Sequence, residues 1–79
     1  MFDPVDRSLL QRHLARVEQR IAESEKIIAR HKAIAAQQEG AGFRTTTARE
    51  LIAQFEQLLE LQIADRDRLL DKLGSYNVV

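Results

Sequence analysis

Residues 37–50 read QQEGAGFRTTTARE, and this short stretch decides the fold. Its two glycines, Gly40 and Gly42, interrupt a chain whose composition otherwise favours helix, since Ala, Leu, Glu, Gln and Arg dominate it. Glycine accepts the left-handed conformation with which many helices end. The two glycines therefore predict the end of a first helix near residue 39 and a loop over about residues 40–46.

The threonines that follow the glycines predict the start of a second helix. Thr47 and Glu50 have the spacing of a capping box, in which the two side chains satisfy free backbone N–H groups at a helix start. Thr45 is a rival cap, because any of these threonines can fill that position. On this interpretation the second helix covers about residues 47–73 and is about 40 Å long.

The first helix has its own start signals. Asp3 can cap it, Pro4 suits the first helical position, and Asp6 falls in the first turn, where the helix dipole favours an anion. Helical composition then continues without a break to about residue 39. This predicts a helix over about residues 4–39, roughly 50 Å long.

The two predicted helices form one domain over residues 1–79. Gly74 is predicted to stop the second helix, which leaves residues 74–79 as a short C-terminal tail. A connection as short as the predicted loop makes helices antiparallel neighbours. The fold class expected is therefore all-α, an antiparallel two-helix hairpin of the coiled-coil type.

Composition and charge argue against several classes of function. The chain has 12 basic and 12 acidic residues, so its formal net charge is zero, unlike the basic surface expected of a nucleic-acid-binding protein or of a protein that adheres to acidic membranes. It has no cysteine, and therefore neither disulfides nor thiolate metal sites. No stretch predicts a signal peptide or a membrane span. We therefore expect a cytoplasmic protein that binds neither nucleic acid nor membrane.

Each predicted helix carries an apolar sector, which is about 140° wide in the second helix. The sector of the first helix contains Leu9, Leu10, Leu14, Val17, Ile21, Ile27, Ile28, Ile34 and Ala35, with His13, Arg20, Ser24, His31 and Gln38 among them. The sector of the second helix contains Ala48, Leu51, Ile52, Phe55, Leu58, Leu59, Ile63, Leu69, Leu70 and Leu73, interrupted by Gln62 and Arg66. These sectors are wider than a two-stranded seam needs. They predict that two hairpins associate into a four-helix bundle, since two-fold dimers are the commonest oligomers.

The polar residues within these sectors are candidates for fixing register and oligomeric state, as a buried asparagine does in coiled coils. Folding the hairpin about its loop brings residues whose numbers sum to about 85 to the same level. Ser24 then lies level with Gln62 and a few residues from Arg66, and His31 lies near Phe55. The alternative is that a slight rotation of the helices exposes the polar residues to solvent.

Two further features of the sequence suggest contacts. Phe43 lies in the loop, where it either plugs the open end of the bundle near Ala35 and Leu51 or anchors a partner protein. Charged residues of one sign also recur at successive i, i+4 positions, and rows of opposite sign are expected either to meet across the hairpin or dimer or to face solvent. The basic row is Arg12, Arg16 and Arg20, and the acidic rows are Glu56 with Glu60 and Asp67 with Asp71.

The sequence predicts no catalytic site, metal site or cofactor. Its two histidines, His13 and His31, are about 27 Å apart along one helix and cannot share a metal ion. No serine has a neighbouring base at a recognisable spacing, and no glycine-rich phosphate loop follows a strand. We therefore interpret the chain as a non-enzymatic protein.

Residues 13–73 resemble small helical proteins of alphaproteobacteria, rhizobia especially. The resemblance rests on His13-Leu14-Ala15 with Glu18, Arg20 and Ile21, on Thr45-x-x-Ala48-x-x-Leu51-Ile52-x-x-Phe55-x-x-x-Leu59, and on Arg66-Asp67-Arg68-Leu69. It implies a helical hairpin in a bacterial cytoplasm and no assigned activity. Many of those proteins carry histidine at the position of Gln62, so a role that needs an imidazole there is not implied here.

Two hypotheses of function follow from these patterns. The first is a homodimeric protein–protein interaction or scaffold module whose partner is a second copy of itself. The alternative is a small regulator that binds one other protein, as antitoxin-like, anti-sigma-like or phosphorelay-interfering hairpins do. A weaker similarity, to two-helix aspartyl-phosphate phosphatases, belongs to this alternative: Asp71 and Tyr76 match their signature, but Asp67 stands where those proteins have serine.

Overall fold

A computed structural model describes residues 4–76 and confirms the helical hairpin. Helix α1 runs from Pro4 to Gly40 and helix α2 from Thr46 to Tyr76. The two helices pack along their length into a rod of 61 × 15 × 14 Å. The predicted start at Pro4 is confirmed, whereas the predicted cap Asp3 lies outside the described residues.

The end of α1 is a Schellman motif centred on Gly42. The Phe43 amide donates to the Gln38 carbonyl at 2.9 Å, and the Gly42 amide donates to the Glu39 carbonyl at 3.0 Å. Gly42 has a φ of +87°, a conformation in which a side chain would be strained. The predicted role of Gly42 is thereby confirmed, while Gly40 is the last residue of the helix rather than part of the loop.

The start of α2 depends on Thr45 rather than on Thr47. The Thr45 carbonyl accepts the first helical hydrogen bond, from the Arg49 amide at 2.8 Å, so Thr45 occupies the capping position. Thr47 is already the second residue of the helix. The capping box predicted for Thr47 and Glu50 is therefore wrong, and the alternative cap, Thr45, is confirmed.

The end of α2 differs from the prediction, because Gly74 does not stop the helix. The helix continues through Gly74 and Ser75 to Tyr76. Gly74 lacks the positive φ of a helix-ending glycine, so it costs helix stability without ending the helix. The Ser75 hydroxyl donates to the Asp71 carbonyl at 3.2 Å, one turn back along the same helix. Of the predicted tail, residues 77–79 lie outside the described residues.

The contact between the helices is a narrow seam whose members recur at alternating steps of three and four residues. This spacing is the heptad pattern of a coiled coil. On α1 the seam residues, buried or half-buried, are Leu10, Leu14, Val17, Ile21, Ser24, Ile28, His31 and Ala35. On α2, with its cap, they are Thr45, Ala48, Ile52, Phe55, Leu59, Gln62, Arg66, Leu69 and Leu73, and Ile63, next to Gln62, is half-buried beside them.

The apolar part of the seam forms two clusters. The cluster nearer the turn is built on Ile28, Ala35 and Ile52, and the cluster nearer the open end on Val17, Ile21 and Leu69. Leu59 packs against both clusters. The hairpin core is thin, because only the small side chain of Ala35 is as little as 1% exposed among the described residues, and each larger core residue keeps 3–7% of its surface exposed.

Neither helix has the length of apolar sequence that crossing a membrane requires, within the described part of the chain.

Candidate functional site

The two apolar clusters are separated by a polar contact between the helices. The Ser24 hydroxyl donates a hydrogen bond of 2.8 Å to Oε1 of Gln62. Ser24 is 8% exposed and Gln62 is half-buried, so the bond is shielded from water. The prediction that these two residues lie opposite each other on the two helices is thereby confirmed. Within residues 4–76, no buried side-chain polar atom is left without a hydrogen-bond partner.

The other polar residues of the predicted layer do not join this contact. The Arg66 guanidinium lies 3.2 Å from the carboxylate of its own neighbour, Asp67, and about a third of the Arg66 side chain is exposed. Arg20 is exposed. The alternative expected from the sequence, a polar residue turned toward solvent at the edge of the seam, therefore describes Arg66 but not Ser24.

His31 packs on an aromatic ring of the opposite helix. Its imidazole stacks on Phe55 with ring centroids 5.9 Å apart and an angle of 14° between the rings. Both residues are half-buried and belong to the seam. The predicted neighbourhood of His31 is confirmed, and the ring contributes packing between the helices at this level.

One long side of the hairpin carries charged residues that pair across the seam, and we call it the charged flank. It consists of Lys32, Glu39, Arg49 and Glu56. The Lys32 ammonium lies 3.6 Å from the Glu56 carboxylate. Arg49 binds Glu39 through two hydrogen bonds, of 2.8 and 3.0 Å.

Glu39 is the centre of a polar clasp that closes the turn. Besides Arg49, its carboxylate accepts a hydrogen bond from the Thr45 hydroxyl. The hydrogen bond from Arg49, followed by that from Thr45, lowers the pKa of Glu39 from its ordinary value of 4.5 to about 2. The same contact raises the pKa of Arg49. The clasp thus ties the last turn of α1 to the first turn of α2.

The opposite long side of the hairpin is apolar near the turn, and we call it the apolar flank. It consists of Ile27, Ile34, Leu51 and Leu58, each directly before a seam residue, whereas Lys32, Arg49 and Glu56 of the charged flank each directly follow one. In an antiparallel pair, the residues that end the four-residue steps between seam positions share one side of the two helices, and the residues that begin those steps share the other. The four side chains are 41–47% exposed.

The same side becomes polar toward the open end of the hairpin. His13, Asp65 and Lys72 line a shallow depression of about 200 Å³ there. Arg20 also directly precedes a seam residue and lies level with Asp65 by its residue number. One side of the rod is therefore apolar for the half nearer the turn and charged for the other half.

The predicted rows of opposite charge do not pair with each other across the hairpin, among the residues that the structure describes. Among the described residues, none of the three arginines of the basic row makes an ion pair, and all three are exposed. Glu56, from an acidic row, pairs instead with Lys32. The basic row faces solvent, which is the second of the two outcomes expected from the sequence.

Phe43 does not plug the end of the hairpin. It is 68% exposed, the largest exposed fraction among the bulky apolar side chains that the structure describes. The backbone of the Schellman motif turns the chain directly after Gly42, and the ring follows it at the tip of the turn. The predicted plug is therefore wrong for a single hairpin, while the predicted role as a partner anchor remains a prediction.

Two parts of this surface were missed by reasoning from the sequence. The clasp around Glu39 was not foreseen, although Glu39 and Arg49 sit at matching heptad positions on the two helices. The apolar flank was merged with the seam into one wide sector, and a strict heptad assignment would have separated them. Within residues 4–76, no three potential metal-binding side chains converge on one point.

Compared with known proteins, the chain matches no family model, no curated protein and no solved structure.

Proposed function

We propose that this chain is a homodimeric protein–protein interaction or scaffold module without catalytic activity. The observation that carries the proposal is the apolar flank, four bulky side chains that a single hairpin leaves 41–47% exposed. Apolar surface removed from water stabilises an assembly by about 25 cal/mol per Å². A second copy of the chain would supply that cover and complete a four-helix bundle.

The thin core of the hairpin supports the same proposal. Domains below about 80 residues rarely gain more than a few kcal/mol from one core and need an additional source of stability. Disulfides are excluded because the chain has no cysteine. Association between copies is another common source, and the resemblance to small helical proteins is compatible with it.

The test is the molar mass in solution. We expect a dimer at micromolar concentration by light scattering after gel filtration, with a melting temperature that rises with protein concentration. Replacing Leu58 by Lys should shift the protein toward monomer. The matched control is Leu70→Lys, because Leu70 has a similar exposure, 46% against 47%, but directly follows a seam residue and so lies on the other side. A monomer that still melts cooperatively would contradict the proposal.

A second candidate function is that of a small regulator binding another protein, and Phe43 favours it. An aromatic ring exposed at the tip of a turn is the kind of anchor that dominates many protein interfaces. Affinity capture from cell extract with the wild-type chain and with Phe43→Ala, followed by mass spectrometry, tests this candidate. It requires a protein that the wild type retains and the variant loses.

A further inference from the structure

We infer that the two copies of the dimer pack through their apolar flanks with both turns at the same end. This inference rests on the proposed homodimer and adds the surface that is buried and the orientation of the two rods. The partner is a second copy of this chain. In this arrangement α1 of each copy lies beside α2 of the other, around a two-fold axis along the rods.

The apolar residues select the parallel orientation. They lie in the half of the rod nearer the turn, so parallel rods place apolar residues against apolar residues. By residue number, Ile27 comes level with the partner's Leu58, and Ile34 with the partner's Leu51. The two members of each pair lie at nearly the same distance from the turn, so one register satisfies both pairs.

The charged half of the same side supports this orientation. Arg20 comes level with the partner's Asp65, so opposite charges face each other along α1 and α2 of different copies. Complementary charges of this kind select orientation more than they add affinity. The charged flank, whose residues already pair within the hairpin, stays on the outer surface of the bundle.

Antiparallel rods fit this surface less well. If they overlap along their full length, the apolar residues of each copy face the charged half of the other. If they shift until the apolar residues meet, the open halves protrude and much of the surface stays uncovered. A side 61 Å long and 15 Å wide can supply the roughly 800 Å² per partner of a standard interface only when most of its length is used.

The test is a distance measurement between spin labels. Because the chain has no cysteine, Arg7→Cys gives one label per copy, at an exposed position near the open end. Parallel rods bring the two labels within about 30 Å, given helix axes about 8–10 Å apart. Either antiparallel alignment separates them by more than about 40 Å at 1.5 Å per helical residue. A second labelled variant, Arg44→Cys in the turn, should also give a short distance.

The outcomes separate this inference from the proposed function. A dimer with short distances at both positions supports it, provided that the labelled variants keep the wild-type molar mass. A dimer whose Arg7→Cys labels lie beyond 40 Å overturns the orientation and leaves the homodimer standing. A dimer whose dissociation constant rises less than threefold in Leu58→Lys overturns the apolar flank as the interface. A monomer overturns both proposals.

Discussion

Ser24 on α1 donates a hydrogen bond to Gln62 on α2 at the boundary between the two apolar clusters of the seam. The bond joins the helices at one register only, because a shift of either helix would leave one of the two groups unpaired. A buried polar group without a partner costs about 1–3 kcal/mol. This contact therefore penalises every other alignment of the helices.

Replacing both residues by apolar ones tests that role. Ser24→Ala combined with Gln62→Leu should raise the melting temperature, because a buried polar layer is usually replaced by apolar packing without loss. The same variant should lose its single association state. Thermal denaturation followed by circular dichroism, together with light scattering, measures the two effects. The single variant Ser24→Ala is the control and should be destabilised, since Gln62 keeps its buried oxygen. One species of unchanged stability in the double variant would show that the pair specifies nothing.

The clasp around Glu39 predicts a dependence of stability on acid. The pKa of Glu39 in the folded chain is about 2, below its ordinary value of 4.5. The folded state therefore binds this proton more weakly than the unfolded state does, and the stabilisation is complete above pH 4.5. It is lost as the pH falls from 4.5 to about 2. In Glu39→Gln, the melting temperature should therefore fall less over this pH range than it does in the wild type.

The control for this prediction is Glu50→Gln, because Glu50 is exposed and makes no ion pair within the described part of the chain. The melting temperature of Glu50→Gln should decrease with falling pH as that of the wild type does. If Glu39→Gln and the wild type lose stability in parallel below pH 4.5, other carboxylates dominate the acid dependence.

The three glycines should respond differently to alanine. Gly42→Ala should lower the free energy of unfolding by about 1–2 kcal/mol, because an L residue is strained at a φ of +87°. Gly40→Ala and Gly74→Ala should instead stabilise the chain by up to about 1 kcal/mol each, since both residues are helical. An added Cβ meets nothing within 4 Å at any of the three positions. Urea denaturation measures all three effects, and a stable Gly42→Ala would mean that the turn has another conformation.

Alanine substitution of the two aromatic residues Phe43 and Phe55 should distinguish an exposed ring from a packed one. Phe43→Ala should change the free energy of unfolding by less than about 0.5 kcal/mol, as surface substitutions do. Phe55→Ala should cost several times more, toward the low end of about 3–5 kcal/mol for a buried ring, because Phe55 is half-buried against His31. Equal losses in chemical denaturation would show that Phe43 packs against its own hairpin or against the second copy.

The features predicted correctly from the sequence are those that helix periodicity and local geometry decide. The fold-back at Gly42 follows from residue type alone, and it then places Ser24 against Gln62 and His31 against Phe55. The spacing of these residues along the helices is fixed at 3.6 residues per turn, so one correct turn positions every later pair.

The features missed depend on contacts between distant residues. Thr45 and Thr47 are equivalent as caps by residue type, and Thr45 is favoured by its bond to Glu39, which only the folded hairpin brings near. By residue type, Gly74 can either lie within a helix or end one. The exposure of Phe43 depends on the path of the chain through the turn, which its own residue type does not determine.

The turn at Gly42 also determines the order in which the contacts between the two helices form during folding. Ala35 and Ile52, beside the turn, close a short loop, whereas Val17 and Leu69 close one about three times longer, at an added entropic cost of about 1 kcal/mol. We therefore expect the contacts between the helices to form first beside the turn and then successively toward the open end, and unfolding to begin at the open end. Amide hydrogen exchange should then be slowest near Ile52 and faster toward Leu69, so the local stability against unfolding should decrease along the rod from the turn to the open end.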